Sequence, residues 1–372
     1  MPELETILNL LERLAPSELA EAWDRSGLQW GDLRQDVRRI VVGLDLDDEC
    51  IDFAIRQGAE LILVHHPPLF RPLQEIRWDQ PVGARIFRCC REGIAVAALH
   101  TNLDAARDGV SLSLAKRLEL EDTEPLSPHP GEDLYKLVVF VPPDHVEPVR
   151  DALAQSGAGW IGQYSHCTFQ SEGIGTFKPL AGSNPYLGNV GELARVRELR
   201  LETIVPRSRL DASVQAMIQA HPYEEVAYDV YHLEIKQYRG EGFGRIGRLQ
   251  QAKPLHQFAT AAARVLNVSA CRYAGPPDRL VQRVAVLGGS GMSFWKDAVR
   301  MQADVLVTGD IKYHEALDAL ERGLCLVDIG HDASEIPALT DFADRLKKEL
   351  VQEGFSDVEV FPVAEELIWH GA

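Results

Sequence analysis

Short apolar runs alternate with amphipathic stretches along the first third of the chain. The runs indicate strands buried on both faces, and the stretches between them repeat apolar residues at helical spacing. Alternation of this kind is typical of a parallel sheet covered by helices. The pattern predicts strands at Arg39–Asp47, Glu60–His65 and Ile94–His100, and helices at Glu49–Gln57, Ala84–Arg91 and Val110–Leu118.

The last third of the chain shows the same alternation. Apolar runs again stand between helical patterns, and the final helix is long, from about Asp332 to Glu353. The sequence therefore predicts a second part of α/β type. Its strands are predicted at Val281–Leu287, Asp304–Thr308, Cys325–Ile329 and Val358–Val363.

The middle of the chain has a different order of elements. The order strand–helix–strand occurs twice, which is the order of a ferredoxin-like module. Ser127–Gly131 and Arg239–Gly247 are rich in Pro or Gly and predict linkers on either side. Strands are predicted at Leu134–Val141, Gly173–Lys178, Leu199–Val205 and Val226–Leu233, and helices at Asp144–Gln155 and Leu210–Ala220.

These patterns together predict the domain organisation. The fold class is α/β, with a two-part core of mixed, mostly parallel sheets that is interrupted by an inserted ferredoxin-like α+β domain. The predicted boundaries are 1–128 for the first half of the core, 129–236 for the insert and 237–372 for the second half.

Composition and charge narrow the function classes. The 372 residues are 45% hydrophobic and 25% charged, which is typical of a globular protein. The formal net charge of −18 disfavours a nucleic-acid partner, because such a surface repels phosphate backbones. We expect no membrane segment, since no run of about 18 apolar residues occurs. Without a signal-peptide pattern or a CxxC pair among six cysteines, the sequence favours a cytoplasmic protein with reduced thiols.

Three polar clusters follow predicted strands of the two α/β parts. His65 and His66 end one strand, Asp104 lies just after another, and His331 and Glu335 begin the long helix four residues apart. The carboxyl ends of parallel strands are where open α/β sheets bind ligands. Each cluster also has a structural interpretation: a core histidine bonded to a carbonyl, an Asx-turn, or acids that stabilise a helix start.

As one set, these five side chains exceed what a single tetrahedral zinc with an open position needs. They suit two divalent ions that share a carboxylate and a water molecule. Zn, Fe, Mn and Co all accept mixed imidazole and carboxylate ligands. Two such ions outweigh two carboxylates in charge, so the pocket would attract a small anionic substrate.

Several segments in this order resemble the Nif-three-like dinuclear metal-centre family, whose members are often catalogued as GTP cyclohydrolase I type 2 homologues. The resemblance covers nearly the whole chain. It rests on Ala22–Leu28 (AWDRSGL), His65–Pro68 (HHPP), His100–Ala106 (HTNLDAA), Gly175–Pro185 (GTFKPLAGSNP), His221–Glu225 (HPYEE), Thr308–His314 (TGDIKYH) and Gly330–Glu335 (GHDASE).

The resemblance implies the same five metal ligands: His65, His66, Asp104, His331 and Glu335. It also implies a toroidal homohexamer with its metals facing an internal cavity, and an insert similar to PII-like and CutA-like trimerising domains. The family label implies the addition of water at C8 of the purine of GTP and the opening of its imidazole ring.

Two further histidines are candidates for acid–base catalysis. His100 precedes Asp104 at the end of a strand, and His314 follows another strand inside a predicted helix. The leading functional hypothesis is a metal-dependent hydrolase. The alternative is a non-catalytic regulatory or metal-handling hexamer whose insert binds a metabolite or a protein partner. An open coordination position beside His100 or His314 would favour the enzyme.

Overall fold

A computed structural model describes residues 1–162, 164–237, 240–269 and 271–369 of the chain. The fold divides into two units. We call Met1–His129 with Gly240–Ala372 the core unit, and Pro130–Arg239 the middle unit. The boundaries predicted at 128/129 and 236/237 stay predictions, as does the assignment of the insert.

Helices and strands alternate along most of the described residues. The helices are α1 (Leu4–Leu14), α2 (Asp48–Gln57), α3 (Pro81–Arg91), α4 (Thr101–Ala105), α5 (Val110–Arg117), α6 (Val146–Gln155), α7 (Arg207–Ala220), α8 (Leu255–Val265), α9 (Trp295–Arg300), α10 (Tyr313–Glu321) and α11 (His331–Gln352). The strands are β1 (Gly27–Trp30), β2 (Arg39–Gly43), β3 (Leu61–Val64), β4 (Ala95–Ala98), β5 (Glu121–Pro128), β6 (Glu132–Val141), β7 (Thr168–Phe177), β8 (Ala194–Pro206), β9 (Tyr228–Gln237), β10 (Gly242–Pro254), β11 (Arg272–Ala274), β12 (Leu280–Val286), β13 (Val305–Thr308), β14 (Cys325–Asp328) and β15 (Glu359–Pro362).

The first sheet of the core unit has the strand order β1-β4-β3-β2-β15. Its strands are parallel except for β1 at the edge. Apolar residues of α1 and α11 pack on one face, and those of α2 and α3 pack on the other. Val64 pairs with Ala98 at the carboxyl end of β3 and β4, so the residues that follow these two strands emerge at the same edge.

The second sheet of the core unit has the strand order β11-β14-β13-β12-β10-β5. The central strands β12, β13 and β14 are parallel and buried, whereas β5, β10 and β11 run antiparallel to their neighbours. Val286, Val307 and Val327 are in register, so these three parallel strands also end together. The mixed, mostly parallel α/β architecture predicted from the sequence is confirmed.

The structure differs from the sequence prediction at the two predicted linkers. Both predicted linkers contain strand residues, because Pro128 of β5 pairs with Gly242 of β10 at the edge of the second sheet. Arg239, at the start of the second predicted linker, lies outside the described residues. The last predicted strand is present as β15, and it lies in the first sheet, parallel to β2.

The middle unit forms an antiparallel sheet of order β7-β8-β6-β9. Helices α6 and α7 cover it with apolar side chains, among them Val149, Leu153 and Met217. Its elements run β–α–β–β–α–β along the chain. Within the described ranges, none of the helices combines the length and the apolar character that crossing a bilayer requires.

Candidate metal centre

The histidines and carboxylates predicted from the sequence meet between the two sheets of the core unit. His65 and His66 follow β3 directly, and Asp104 lies on α4, just after β4. His331 and Glu335 form the first turns of α11, which follows β14. The ends of parallel strands from both sheets therefore deliver the cluster, as expected for open α/β sheets.

Glu335 is the centre of the cluster. Its Oε1 lies 3.5 Å from His65 Nε2 and 3.3 Å from His331 Nε2, and its Oε2 lies 3.2 Å from His66 Nε2. His65 Nε2 is also 3.7 Å from Asp104 Oδ1. Two groups that could each hold a metal ion overlap here, His65–Asp104–Glu335 and His66–His331–Glu335.

Three buried ligand atoms of this cluster lack a hydrogen-bond partner among the described residues. They are His65 Nε2, Asp104 Oδ1 and Glu335 Oε2. Buried polar atoms are almost always hydrogen-bonded, so three orphans that converge on one point mark a site that is completed by something else. Imidazole nitrogen and carboxylate oxygen are the donors that zinc, iron, manganese and cobalt accept, so the residues fit a metal ion.

The Nδ1 atom of each histidine has a hydrogen-bond partner on the side away from Glu335. His66 Nδ1 lies 3.1 Å from Asp45 Oδ1, and His331 Nδ1 lies 2.7 Å from Asp310 Oδ2. His65 Nδ1 lies 2.7 Å from the carbonyl oxygen of Leu99. Such partners place the proton on Nδ1 and leave Nε2 free to bind a metal.

The mutual proximity of these groups shifts the pKa of each. Burial opposes the charged form of His65 and His66, but neighbouring carboxylates outweigh it and raise both pKa values, that of His66 to about 10. The Glu335 carboxylate raises the pKa of His331 to about 9. Burial raises the pKa of Asp104 to about 6, whereas the three histidines overcome burial and hold the pKa of Glu335 well below its usual range.

A glycine leaves the space beside the cluster open. Gly289, in the loop after β12, has a φ of +64°, and a Cβ at this position would collide with Glu335 Oε1 and crowd His331 Nε2. Its amide donates to Ser334 Oγ (2.8 Å), and the Gly291 amide donates to Thr308 Oγ1 (2.8 Å). The amides of Gly289 and Gly291 are therefore both used within the protein, and the loop that carries them borders the cluster.

The cluster opens into a cavity of about 710 Å³ in the core unit. Two aromatic pairs contribute to its walls. The rings of Trp23 and Phe70 meet edge to face at 5.9 Å, and those of Phe243 and Phe294 stack at 5.2 Å. A cluster of histidine and carboxylate side chains beside aromatic walls is suited to a ligand that combines polar groups with a flat ring.

Of the two predicted acid–base histidines, only His100 lines this cavity. Its Nδ1 lies 2.7 Å from Asp24 Oδ1, and it forms a further possible metal group with His65 and His66. His314 is exposed on the first turn of α10 and packs against Tyr313. The structure therefore does not bring His314 into the cluster.

Sequence analysis missed the carboxylates that orient the histidines. Asp24, Asp45 and Asp310 each follow or precede a strand and had no assigned role. Asp24 also accepts hydrogen bonds from the Thr101 amide and hydroxyl, and although burial opposes its charge, these donors and His100 lower its pKa. Asp24 and Asp310 lie in two of the segments that resemble the family. Their histidine partners, His100 and His331, lie in two other segments, so local sequence does not reveal the pairing.

The fold and the site define an α/β protein whose histidine and glutamate groups could bind a metal ion. The profile of the DUF34/NIF3 (NGG1p interacting factor 3) family matches residues 2–366. The chain belongs to this family.

Similar proteins are known from several bacteria. The "GTP cyclohydrolase 1 type 2 homolog" of Bacillus subtilis (strain 168) is 47% identical over 332 residues, which are 89% of each chain. A Bacillus cereus "protein related to NIF3" of known structure is 43% identical, with a TM-score of 0.91 over 98% of this chain and 97% of that one. A Staphylococcus aureus protein of known structure is 29% identical, with a TM-score of 0.82 over 100% and 99% of the two chains.

Proposed function

We propose that the core unit holds two divalent metal ions and hydrolyses a small anionic substrate. The observation that carries this proposal is the position of Glu335, whose oxygens approach three histidines from the two overlapping ligand groups. A carboxylate shared between two groups is the arrangement that a two-metal site uses. Zn, Fe, Mn and Co are the candidate ions.

Each ion has its own set of protein ligands in this proposal. His65 and Asp104 would hold one, His66 and His331 the other, and Glu335 would serve both. Bound ions would supply Lewis-acid activation of a substrate oxygen and of a water molecule. Because Gly289 has no side chain, no Cβ crowds Glu335 and His331 on that side of the cluster.

His100 is the residue we propose for proton transfer. Asp24 fixes its ring through Nδ1, which leaves Nε2 available at the cavity. A histidine oriented by a carboxylate can take a proton from water and give it to a leaving group. His314, exposed outside this cavity, remains a predicted acid–base residue without a contact that supports the role.

The walls of the cavity support a substrate with a planar ring. Two ring pairs offer faces and edges for stacking, Trp23 with Phe70 and Phe243 with Phe294. An anionic group of the substrate would coordinate the two divalent ions directly, and this short-range contact, not the net charge of the site, favours it, since Asp24, Asp45 and Asp310 add negative charge around the histidines. A nucleotide combines both features, and the name of the Bacillus subtilis relative suggests GTP.

Metal content tests the site directly. We expect elemental analysis by mass spectrometry of untagged protein, after loading with Zn, Mn or Fe and dialysis, to find near two ions per chain. The double variant His331→Ala/Glu335→Ala should lose them, and His256→Ala, outside the cluster, should keep them. Near-zero metal in the wild type after every loading would refute the metal centre.

Turnover assays test the reaction. The loaded protein is incubated with GTP and other nucleotides and with simple phosphoesters, and products are separated by liquid chromatography. We expect hydrolysis that His100→Gln abolishes while metal content stays at the wild-type level. Full metal occupancy without turnover of any of these substrates would contradict the hydrolase and favour the metal-handling alternative.

We also propose a homohexamer, as the family resemblance implies, and a cytoplasmic location, which the sequence favours. The described cysteines are all free thiols, which suits a reducing compartment. Light scattering coupled to gel filtration should give six times the chain mass of 41.4 kDa. A monomer or dimer at micromolar concentration would contradict the hexamer.

A further inference from the structure

A second cavity, of about 590 Å³, lies entirely within the middle unit. The end of β7, the loop that follows it, Glu198 on β8 and the segment before β9 form its walls. Glu224 accepts from the amide of Asn184 (2.9 Å), which ties that loop to the segment before β9. This contact holds the loop at one wall of the cavity, and neither the histidine–carboxylate cluster nor the proposed hydrolysis uses the cavity.

Glu198 is a buried carboxylate at the wall of this cavity. Only 8% of the residue is exposed. Its Oε1 accepts a hydrogen bond from the hydroxyl of Tyr223 (3.0 Å), but among the described residues no group donates to Oε2 and no cation pairs with it. Lys178 also lines the cavity and forms no ion pair with Glu198. Oε2 is not one of the sealed atoms without a partner, so it keeps access to the cavity and is available to a ligand that carries a cation.

Gly175 provides the space that Glu198 occupies. A Cβ at this position would overlap Glu198 Oε2, whereas the backbone of Gly175 is not in a left-handed conformation. A glycine is needed here because any side chain would overlap the Glu198 carboxylate, and not because the backbone conformation requires it. The local sequence keeps Oε2 where it faces the cavity.

Aromatic rings stand around the carboxylate. The ring of Tyr223 lies 6.1 Å from those of Tyr186 and Phe177, tilted by 45° and 58°. Tyr186 also contacts the His145 ring at 5.5 Å but remains 53% exposed, so part of its surface is open at the mouth of the cavity. Aromatic faces attract cations through their quadrupole, most strongly where water is excluded.

From this arrangement we propose that the middle unit binds a small organic cation: its ammonium or guanidinium group lies against Glu198, and its apolar body lies among Tyr186, Tyr223 and Phe177. A metal ion is a poorer occupant. Within the described ranges, Glu198 does not belong to a group of three His, Cys, Asp or Glu side chains close enough to share an ion. A guanidinium can instead satisfy both carboxylate oxygens with its own N–H groups.

Calorimetric titration of the full chain with butylguanidinium tests the proposal. Butylurea, which has the same shape without the charge, is the matched ligand control. We expect one butylguanidinium per chain and at least tenfold weaker binding of butylurea. Glu198→Gln keeps the side-chain volume and an acceptor for Tyr223, and should weaken butylguanidinium at least tenfold, while Glu147→Gln on the exposed face of α6 should not.

Melting temperatures separate loss of binding from loss of folding. Glu198→Gln should melt close to the wild-type temperature without ligand, because it keeps the side-chain volume and the acceptor for the Tyr223 hydroxyl. Butylguanidinium should raise the melting temperature of the wild type and of Glu147→Gln but not of Glu198→Gln. A variant that melts far below the wild type, or equal binding of butylurea, would overturn the proposal.

Variants of Tyr186 test the contribution of the aromatic ring, and a peptide ligand tests whether the cation is a free molecule or a protein side chain. Tyr186→Phe should bind butylguanidinium like the wild type, and Tyr186→Leu severalfold more weakly; equal affinities would remove the aromatic part of the proposal. Acetyl-Gly-Arg-Gly-amide presents the same group on a peptide. Weaker binding of this peptide than of butylguanidinium supports a free small cation, and tighter binding would overturn that choice in favour of a protein side chain.

Discussion

The two cavities of this protein place buried carboxylates in different surroundings. In the core unit Glu335 lies among three imidazoles, each of them held in place by a further hydrogen bond. In the middle unit Glu198 lies among aromatic rings, and within the described part of the chain one tyrosine hydroxyl donates to it. The cavities are similar in volume, about 710 and 590 Å³.

The comparison shows that the neighbours of a buried carboxylate decide which cation it suits. Imidazole nitrogens offer lone pairs at short distance, and their outer hydrogen bonds fix the direction of those lone pairs, which metal ions require. Aromatic rings offer only a diffuse negative face, which suits a large organic cation. Charge alone would not distinguish the two sites.

The largest expected effect comes from removing the shared charge in the core unit. Glu335→Gln should lower the affinity for both ions by more than the about 10–100-fold that an outer hydrogen-bond partner contributes, because both ligand groups lose the same carboxylate. Chelator competition measures it. Glu198→Gln should leave metal binding unchanged. Loss of metal in both variants would mean that the two sites are not separate.

A smaller effect is expected from filling the space beside the cluster. Gly289→Ala places a methyl group against Glu335 Oε1 and should weaken metal binding. It also costs about 1–2 kcal/mol, since Gly289 is left-handed. Gly93→Ala is the matched control: it has a similar φ of +69° and open space around its Cβ. Both variants should melt earlier in circular dichroism, and only Gly289→Ala should lose metal.

The outer hydrogen bond to His331 gives a still smaller effect. Asp310→Asn keeps an acceptor for His331 Nδ1 but removes its charge, and we expect metal affinity to fall about 10-fold, at the lower end of the range for such partners. Asn tolerates the left-handed backbone of Asp310, whose φ is +56°. Asp318→Asn, exposed on α10, is the control. Unchanged affinity in Asp310→Asn would show that the carboxylate does not support the ligand.

The smallest expected effect is a pH dependence in the middle unit. His221 Nε2 donates to the Phe140 carbonyl (3.0 Å) and its Nδ1 accepts from the Tyr223 amide (3.1 Å), so the fold needs the neutral ring. Burial lowers the pKa of His221, to which the nearby His145 also contributes. The stabilisation is present above the unfolded pKa of about 6.5 and is lost as pH falls below it.

Amide exchange at Tyr223 measures this dependence. After correction for intrinsic rates, protection in the wild type should fall between about pH 7.5 and 5.5, on the acid side of the unfolded histidine pKa. His221→Gln should remove most of the dependence, whereas His232→Gln, an exposed histidine, should keep it. Constant protection in the wild type would contradict the requirement for a neutral ring.

The sequence predicts where the parallel strands lie but not which strands they pair with. Six strands lie within the predicted apolar runs or differ by a residue at an end: β2, β3, β4, β12, β13 and β14. Strands buried on both faces consist almost entirely of apolar residues, which makes them recognisable in the sequence. The membership of β15 in the first sheet depends on contacts with β2, which lies more than 300 residues earlier. Pro and Gly residues in β5 and β10 favour loops locally, but tertiary pairing at the sheet edge prevails.

The candidate site shows the same limit. The five candidate ligands were predicted because each follows a strand, and strand ends are recognisable from local pattern. The roles of Asp45 and Asp310 depend on which histidine each carboxylate reaches, which only the folded chain decides. The pairing of Glu198 with Gly175 and Tyr223 across the middle unit is likewise invisible in any short window.

The pairing of Pro128 with Gly242 has a consequence for how the chain tolerates length. The two positions that flank residues 130–239 are neighbours in one antiparallel ladder, and His129 donates its amide to the Glu241 carbonyl (3.0 Å). The entropy cost of closing a loop between such neighbours grows only with the logarithm of its length. The second sheet can therefore hold its strand order with a short turn at this point as well as with a complete folded unit.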